Sequence, residues 1–319
     1  MEYLLKPTHS PTHRFAFIGV PHDAATSLGN PGGRFGPQAL RDALRGVFSW
    51  RLQNGCLADI DTGIIDLSAV EVADFGDIAL SYHDTALTVE QTYAAVQRAL
   101  AAGYTPLVVG GDHGITYPPV KALHDATAGA IGLIQLDAHC DLMDFSDRQG
   151  RFSGSSGMRR AIELERLAPA NLVQVGLRGY ATVEQYTLGQ QLGVQRISGT
   201  RFAELGAHAA AEQALALAGQ GTAAIYLTID LDVINPGEAP GTGWPEPGGL
   251  RALGLALRVA DRLQERERRA RRELQALVAV EPQRAATGAD VDRGDAPRLA
   301  LEPVDRHREA AGGAGGRER

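Results

Sequence analysis

Short apolar runs alternate along this chain with stretches of helical periodicity, and together they set out a repeating strand–helix order. Residues 15–20 (FAFIGV) read as the first strand. A Gly- and Pro-rich loop follows over 21–37, and 38–47 read as a helix. The clearest helix covers 89–102, where Val89, Tyr93, Val96 and Leu100 share one face, Thr88 and Gln91 are spaced as a capping box, and Gly103 stands at the stop. Further strands are expected at 105–109, 131–136, 171–175 and 223–229. Three of them run directly into acidic or His-bearing loops: Gly110-Gly111-Asp112-His113, Asp137-Ala138-His139-Cys140-Asp141, and Asp230-Leu231-Asp232. In an open α/β sheet the ligand crevice lies beyond the carboxyl ends of the strands, so these loops are expected to converge there.

The spacing within the loops carries chemistry. In extended backbone, alternate side chains share a face, which would aim Asp137, His139 and Asp141 at one spot and Asp230 and Asp232 at another. With His113 they make four carboxylates and two imidazoles, a hard, oxygen-rich set that favours Mn²⁺ over structural zinc. Four carboxylates in one small volume repel unless cations neutralise them. Two divalent ions would do so, with Asp141 and Asp232 as the expected bridges. Either acidic motif alone is weak, since such loops often cap turns. Cys140, in the alternate position, is expected to pack away from the metals as a small buried residue.

The bulk numbers narrow the partners. The chain has 319 residues, room for one large α/β domain, here expected over 1–305 with a disordered tail at 306–319. A net charge of −7 argues against nucleic acid or an anionic membrane surface as partner. Two cysteines are too few for a disulfide framework and fit a reducing compartment. The N-terminus lacks a charged start before a long apolar run, and no stretch has the length of a membrane span, so a cytoplasmic location is expected. Residues 264–273 (QERERRARRE) read as a solvated helix face.

Five segments resemble the ureohydrolase (arginase/agmatinase) family, in the family's order and over roughly residues 15 to 260. They are GVPHDAATSLGNPGGRFGPQALR at 19–41, GGDHGIT at 110–116, DAHCD at 137–141, TIDLDVINP at 228–236, and APGTGWPEPGGL at 239–250. The resemblance implies a three-layer α/β/α sandwich with a mostly parallel central sheet. It implies a hydrolase of linear amidines with two Mn²⁺ per subunit, held by His113, Asp137, His139, Asp141, Asp230 and Asp232. A hydroxide held between the ions would release urea and an amine from a small guanidino compound such as agmatine, guanidinobutyrate or guanidine. Asp141 is the expected proton carrier, and the implied assembly is a homotrimer or homohexamer.

Three positions depart from the family pattern. Gly154, in Phe152-Ser153-Gly154-Ser155-Ser156, occupies the place of a proton-shuttling His, for which His22 is a candidate substitute. Ala279 falls where a Glu should face the guanidinium group, and Glu281 is the candidate in its place. Trp244 stands where many relatives have Thr, and its indole would form a pocket wall for a small cation. Asn30 and Ser155 are further candidate substrate contacts, and Arg34 a contact to substrate or a neighbouring subunit. Residues 283–301 resemble the family little. The departures keep two alternatives open: a related C–N hydrolase acting on a formimino or amidino substrate, and a metal-binding relative without turnover.

Overall fold

The computed structural model of the protein describes residues 2–25, 31–60, 63–81 and 83–251. Within them the strands are β1 (Glu2–Leu5), β2 (His13–Val20), β3 (Cys56–Asp59), β4 (Gly63–Asp66), β5 (Val70–Asp77), β6 (Thr105–Gly110), β7 (Ile131–Leu136), β8 (Leu172–Val175), β9 (Gln195–Ile197) and β10 (Ala224–Ile229). The helices between them are α1 (Gly36–Arg51), α2 (Thr85–Ala101), α3 (Tyr117–Ala126), α4 (Gly157–Ala161), α5 (Val183–Gln191) and α6 (Gly199–Ala218). One four-stranded sheet has the order β1-β5-β2-β6 and another the order β10-β7-β8-β9; β3 and β4 form a separate antiparallel pair. All neighbours in the two larger sheets are parallel except β1 with β5.

Burial along the strands explains the layering. Every residue of β7 is buried, so both its faces are covered. Ile134 and Leu136 pack with Val173, Val175 and the α6 residues Ala210, Ala214 and Ala218. The alternate residues Ile131 and Leu133 pack with Leu172, Val120 of α3, and Met158 and Ala161 of α4. In the other sheet, Ala16 and Ile18 of β2 meet Ala95, Val96 and Ala99 of α2, while Phe17 turns to the opposite cluster, against which Leu44 and Phe48 of α1 pack. The period-2 alternation of the strands thus sends successive side chains into helices on opposite faces, and the fold is a three-layer α/β sandwich. Arg41 of α1, buried among these layers, binds Asp74 at 2.8 Å and Asp77 at 2.7 Å on β5, which fixes the helix to the sheet.

The expected strands are present within a residue or two of their predicted bounds. The long helix differs at its start. Asp84, not Thr88, caps α2 by accepting from the Leu87 amide at 3.0 Å. Thr88 lies inside the helix and turns its hydroxyl back toward the carbonyls of Ser81 and Asp84. The stop is as expected, with Gly103 at φ +76, a left-handed conformation that glycine adopts without penalty. Both cysteines are free. No helix among the described residues is long and apolar enough to cross a membrane. The expected helix face at 264–273, the segment carrying Ala279 and Glu281, residues 283–301 and the tail at 306–319 lie outside the described residues, as does Asn30.

Candidate metal centre

Three strand exits build the centre. At the end of β6, a Cβ on Gly111 would stand 1.8 Å from the His22 carbonyl oxygen, so only glycine lets β6 leave so close to the loop after β2. Asp112 then accepts from the amides of Gly114 (3.0 Å) and Ala25 (2.8 Å), pinning the short turn that carries His113. Burial pushes the Asp112 carboxyl up to about 7.

At the end of β7, Asp137 accepts from the His139 amide at 2.6 Å and from Gln135 Nε2 at 2.6 Å. Gln135 in turn accepts from Gln174 Nε2 at 2.6 Å, and Gln174 also donates to the Cys140 carbonyl. Both glutamines are fully buried in the sheet. They went unremarked in the sequence, although a glutamine inside IGLIQL and another inside LVQV is the signal. A buried amide in an apolar strand needs partners, and here it holds the acid loop.

The loop itself departs from the extended backbone expected of it. Asp141 has φ +50, an uncommon conformation for a residue with a Cβ, so the chain turns there instead of continuing its alternation. At the end of β10, Asp230 accepts from the Asp232 amide at 2.8 Å and starts a short helical turn over Leu231–Val233. Asp232 reaches the β7 loop by accepting from the Ala138 amide at 3.0 Å. Side chain–backbone hydrogen bonds, not strand pleating, bring the acids together. Cys140 is buried in the apolar cluster beneath, as its alternate position predicts.

The six candidate ligands converge. His113 Nδ1 lies 2.5 Å from Asp141 Oδ2, 2.9 Å from Asp137 Oδ2 and 3.6 Å from Asp230 Oδ2. His139 Nδ1 lies 2.9 Å from Asp232 Oδ2 and 3.5 Å from Asp137 Oδ1. Among the described residues, two groups have donor atoms close enough to share an ion: His113 with Asp137 and Asp230, and Asp137 with His139 and Asp232. The carboxylate common to both is Asp137, where Asp141 and Asp232 were the expected bridges. Asp137 lies between the two imidazoles because it is first out of the central strand.

The electrostatics test whether cations fit. Burial first, and then the charge of Asp137, push Asp141 and Asp230 up to about 7 and Asp232 up to about 6. Burial alone would lower the two imidazoles. The Asp137 and Asp141 carboxylates outweigh it at His113 and raise it well above its usual range. Asp137 and Asp232 do the same at His139, raising it to about 11. Asp137 itself goes below the ordinary carboxylate range. Burial opposes this, but the His113 charge and hydrogen bonds from both histidines prevail. Protons hold this cluster together, and divalent cations on hard oxygen and imidazole donors meet the same need.

The other predicted residues divide. Trp244 stands beside the cluster, its ring edge-on to His139 with centroids 5.9 Å apart and 38% of the residue exposed. The Ser155 carbonyl accepts from the Met143 amide at 3.0 Å, in the turn that follows the β7 loop. A Cβ on Gly154 would sit 3.1 Å from the Ala25 carbonyl, so a side chain there is tight. His22 is not brought to the acids. It is buried beside a small cavity lined by Thr88, Thr92, Asp112 and Phe152, which none of the six candidate ligands lines. Among the described residues its ring nitrogens have no hydrogen-bond partner, and burial lowers its pKa. Arg34 is held by Asp23, at 2.5 Å.

Comparison with known proteins gives the same frame. Residues 13–287 match the family described as the arginase family. The chain is 33% identical over 234 residues to proclavaminate amidinohydrolase of Streptomyces clavuligerus, covering 73% of this chain and 71% of that one. It is 34% identical over 242 residues to guanidinobutyrase of Pseudomonas aeruginosa, covering 75% and 71%. The solved structure of the Streptomyces enzyme superposes with a TM-score of 0.64 over 79% of this chain and 80% of that one, at 29% identity. Formimidoylglutamase of Bacillus subtilis superposes with a TM-score of 0.67 over 77% and 74%, at 26% identity.

Proposed function

The chain belongs to the arginase family of hydrolases, and from that premise we propose that it hydrolyses a small guanidino compound to urea and an amine at the Asp137 cluster. The observation that carries this reading is the convergence of three aspartates and two histidines from three strand ends onto two groups that share Asp137, with Asp141 against His113. His113, Asp137, Asp141 and Asp230 would hold one divalent ion, and Asp137, His139 and Asp232 the other, with Mn²⁺ the ion this donor set favours. A pair of such ions supplies a water activated at neutral pH and charge to offset the acids.

The chain's own residues supply the rest. Thr228 hydrogen-bonds His113 Nε2 at 3.0 Å and is itself held by Thr116 at 2.9 Å, so Nδ1 is the nitrogen left facing the acids. Asp141 Oδ2, buried against His113, is the acid in this reading that takes a proton during attack on the guanidinium carbon and returns it to the leaving amine. The Trp244 indole beside His139 offers a face to a planar cation, worth about 1–2 kcal/mol when water is excluded. Its bulk narrows the entrance and favours a short substrate: agmatine, guanidinobutyrate or guanidine. His22 has no part in this mechanism, and Asn30 and Glu281 remain candidates for holding the substrate. The proposal includes a cytoplasmic homotrimer or homohexamer, which light scattering after gel filtration tests.

Urea release from these guanidines by Mn²⁺-loaded protein tests the reading, and no urea from any of them contradicts it. A second reading is favoured by the likeness to formimidoylglutamase and by Gly154 at the position of the expected His. It predicts formamide or ammonia, without urea, from a formimino substrate in the same assay.

A further inference from the structure

The two histidines of the cluster are placed alike but are not held alike. Each turns Nδ1 toward the carboxylates, and a metal-binding imidazole needs a partner on its other nitrogen to fix the ring and its tautomer. For His113 that partner is Thr228. For His139 the far nitrogen, Nε2, is buried and has no hydrogen-bond partner among the described residues, and the Glu246 carboxylate stands 3.6 Å from it. That carboxylate is itself seated. A Cβ on Gly179, at φ +68, would stand 2.4 Å from Glu246 Oε2, so the glycine opens the space the carboxylate fills. The backbone of Glu246 is fixed from the same side. The Arg178 guanidinium donates to the carbonyls of Glu246 and Pro247, each at 3.1 Å, and to those of Asp232 at 2.5 Å and Val233 at 3.1 Å. One side chain therefore ties the loop bearing Glu246 to the loop bearing Asp232, the residue that faces His139 Nδ1.

We infer that Glu246 is a positioning residue for His139: its carboxylate accepts the proton on Nε2 and so commits Nδ1 to the cation shared with Asp137 and Asp232. The inference rests on the cluster holding two ions, as proposed above. It predicts that the two ions are affected unequally when Glu246 is changed, because His113 has its own partner in Thr228.

The test is Mn²⁺ binding to the purified full chain, measured by calorimetric competition against a chelator for wild type, Glu246→Gln and Glu246→Ala. Circular dichroism checks that each variant is folded. The expected result is a loss of about 10–100-fold in one of the two Mn²⁺ affinities for Glu246→Ala, with the other unchanged. Glu246→Gln, which keeps an acceptor oxygen, should recover part of the loss. A second readout is proton NMR of the Co²⁺-loaded protein. Wild type should show two slowly exchanging, paramagnetically shifted imidazole N–H resonances, and Glu246→Ala only one. Wild type binding two ions while Glu246→Ala binds both with unchanged affinity, or keeps both resonances, overturns this inference alone. Wild type binding no Mn²⁺ overturns the cluster reading and this inference with it.

Discussion

Replacing Asp137 by Asn should remove most of the metal-dependent stability of the protein, and replacing Asp232 by Asn only about half. Asp137 belongs to both groups of donors, Asp232 to one. Each ion bound at 100 times its dissociation constant stabilises the fold by about 2.7 kcal/mol, so two give about 5 kcal/mol. At about 2 °C per kcal/mol for a domain of this size, the wild-type melting temperature should rise by about 10 °C between excess chelator and saturating Mn²⁺. Asn at 137 keeps one oxygen that can accept from the His139 amide, as Asp137 Oδ1 does, at the cost of the bond from Gln135 to Oδ2, so circular dichroism should first show that the variant folds. Differential scanning fluorimetry at a series of Mn²⁺ concentrations measures the increments directly. They should be about 10 °C for wild type, about 5 °C for Asp232→Asn, and near zero for Asp137→Asn. An Asp137→Asn variant with the full wild-type increment would refute the assignment of Asp137 as the shared ligand.

Further outcomes follow from other contacts. Thr228→Val removes the hydroxyl between His113 and Thr116, and Mn²⁺ affinity, followed by competition, should weaken about 10-fold. Trp244→Ala should raise KM for a guanidino substrate about 10-fold with kcat nearly unchanged, if its contribution is cation–π binding in the ground state. For pH, Asp125 at the end of α3 is a site remote from the metal chemistry. Burial would raise its carboxyl, but hydrogen bonds from Lys121, His124 and Tyr93 hold it at about 2. Its folded value lies below its unfolded one, so its stabilisation is present above about pH 4 and is lost as pH falls toward 2. Unfolding free energies from urea titrations of wild type and Asp125→Asn should differ by about 1 kcal/mol at pH 6, after allowing for solvent screening, and converge only as pH falls to about 2.

The strand–helix order was legible because buried parallel strands read as unbroken apolar runs, and β7 matched its predicted bounds without change. The convergence of the six acids and histidines was legible because such residues directly after apolar runs have few structural reasons to be there. The sharing of Asp137 was not, since it depends on the left-handed turn at Asp141 and on the turn after Asp230, and neither shows in residue spacing. His22 was drawn into the site by its place in a family-like loop. It instead lines a small cavity with Thr88 and Thr92 of α2 and with Asp112 and Phe152, a cavity that none of the six candidate ligands lines. Glu246 was quoted within a motif but not singled out, because its meaning depends on an imidazole about a hundred residues earlier in the chain. The α2 cap was misplaced for a local reason: Asp84 and Thr88 both offer an oxygen, and the helix starts at the earlier one.

Six side chains from three strand ends are placed to hold a pair of divalent cations. Elemental analysis of the full chain after Mn²⁺ loading and exhaustive dialysis tests it most directly. Wild type should carry two manganese ions per chain, and Asp137→Asn should lose both. A folded wild-type chain that retains no divalent metal under any loading condition would contradict it.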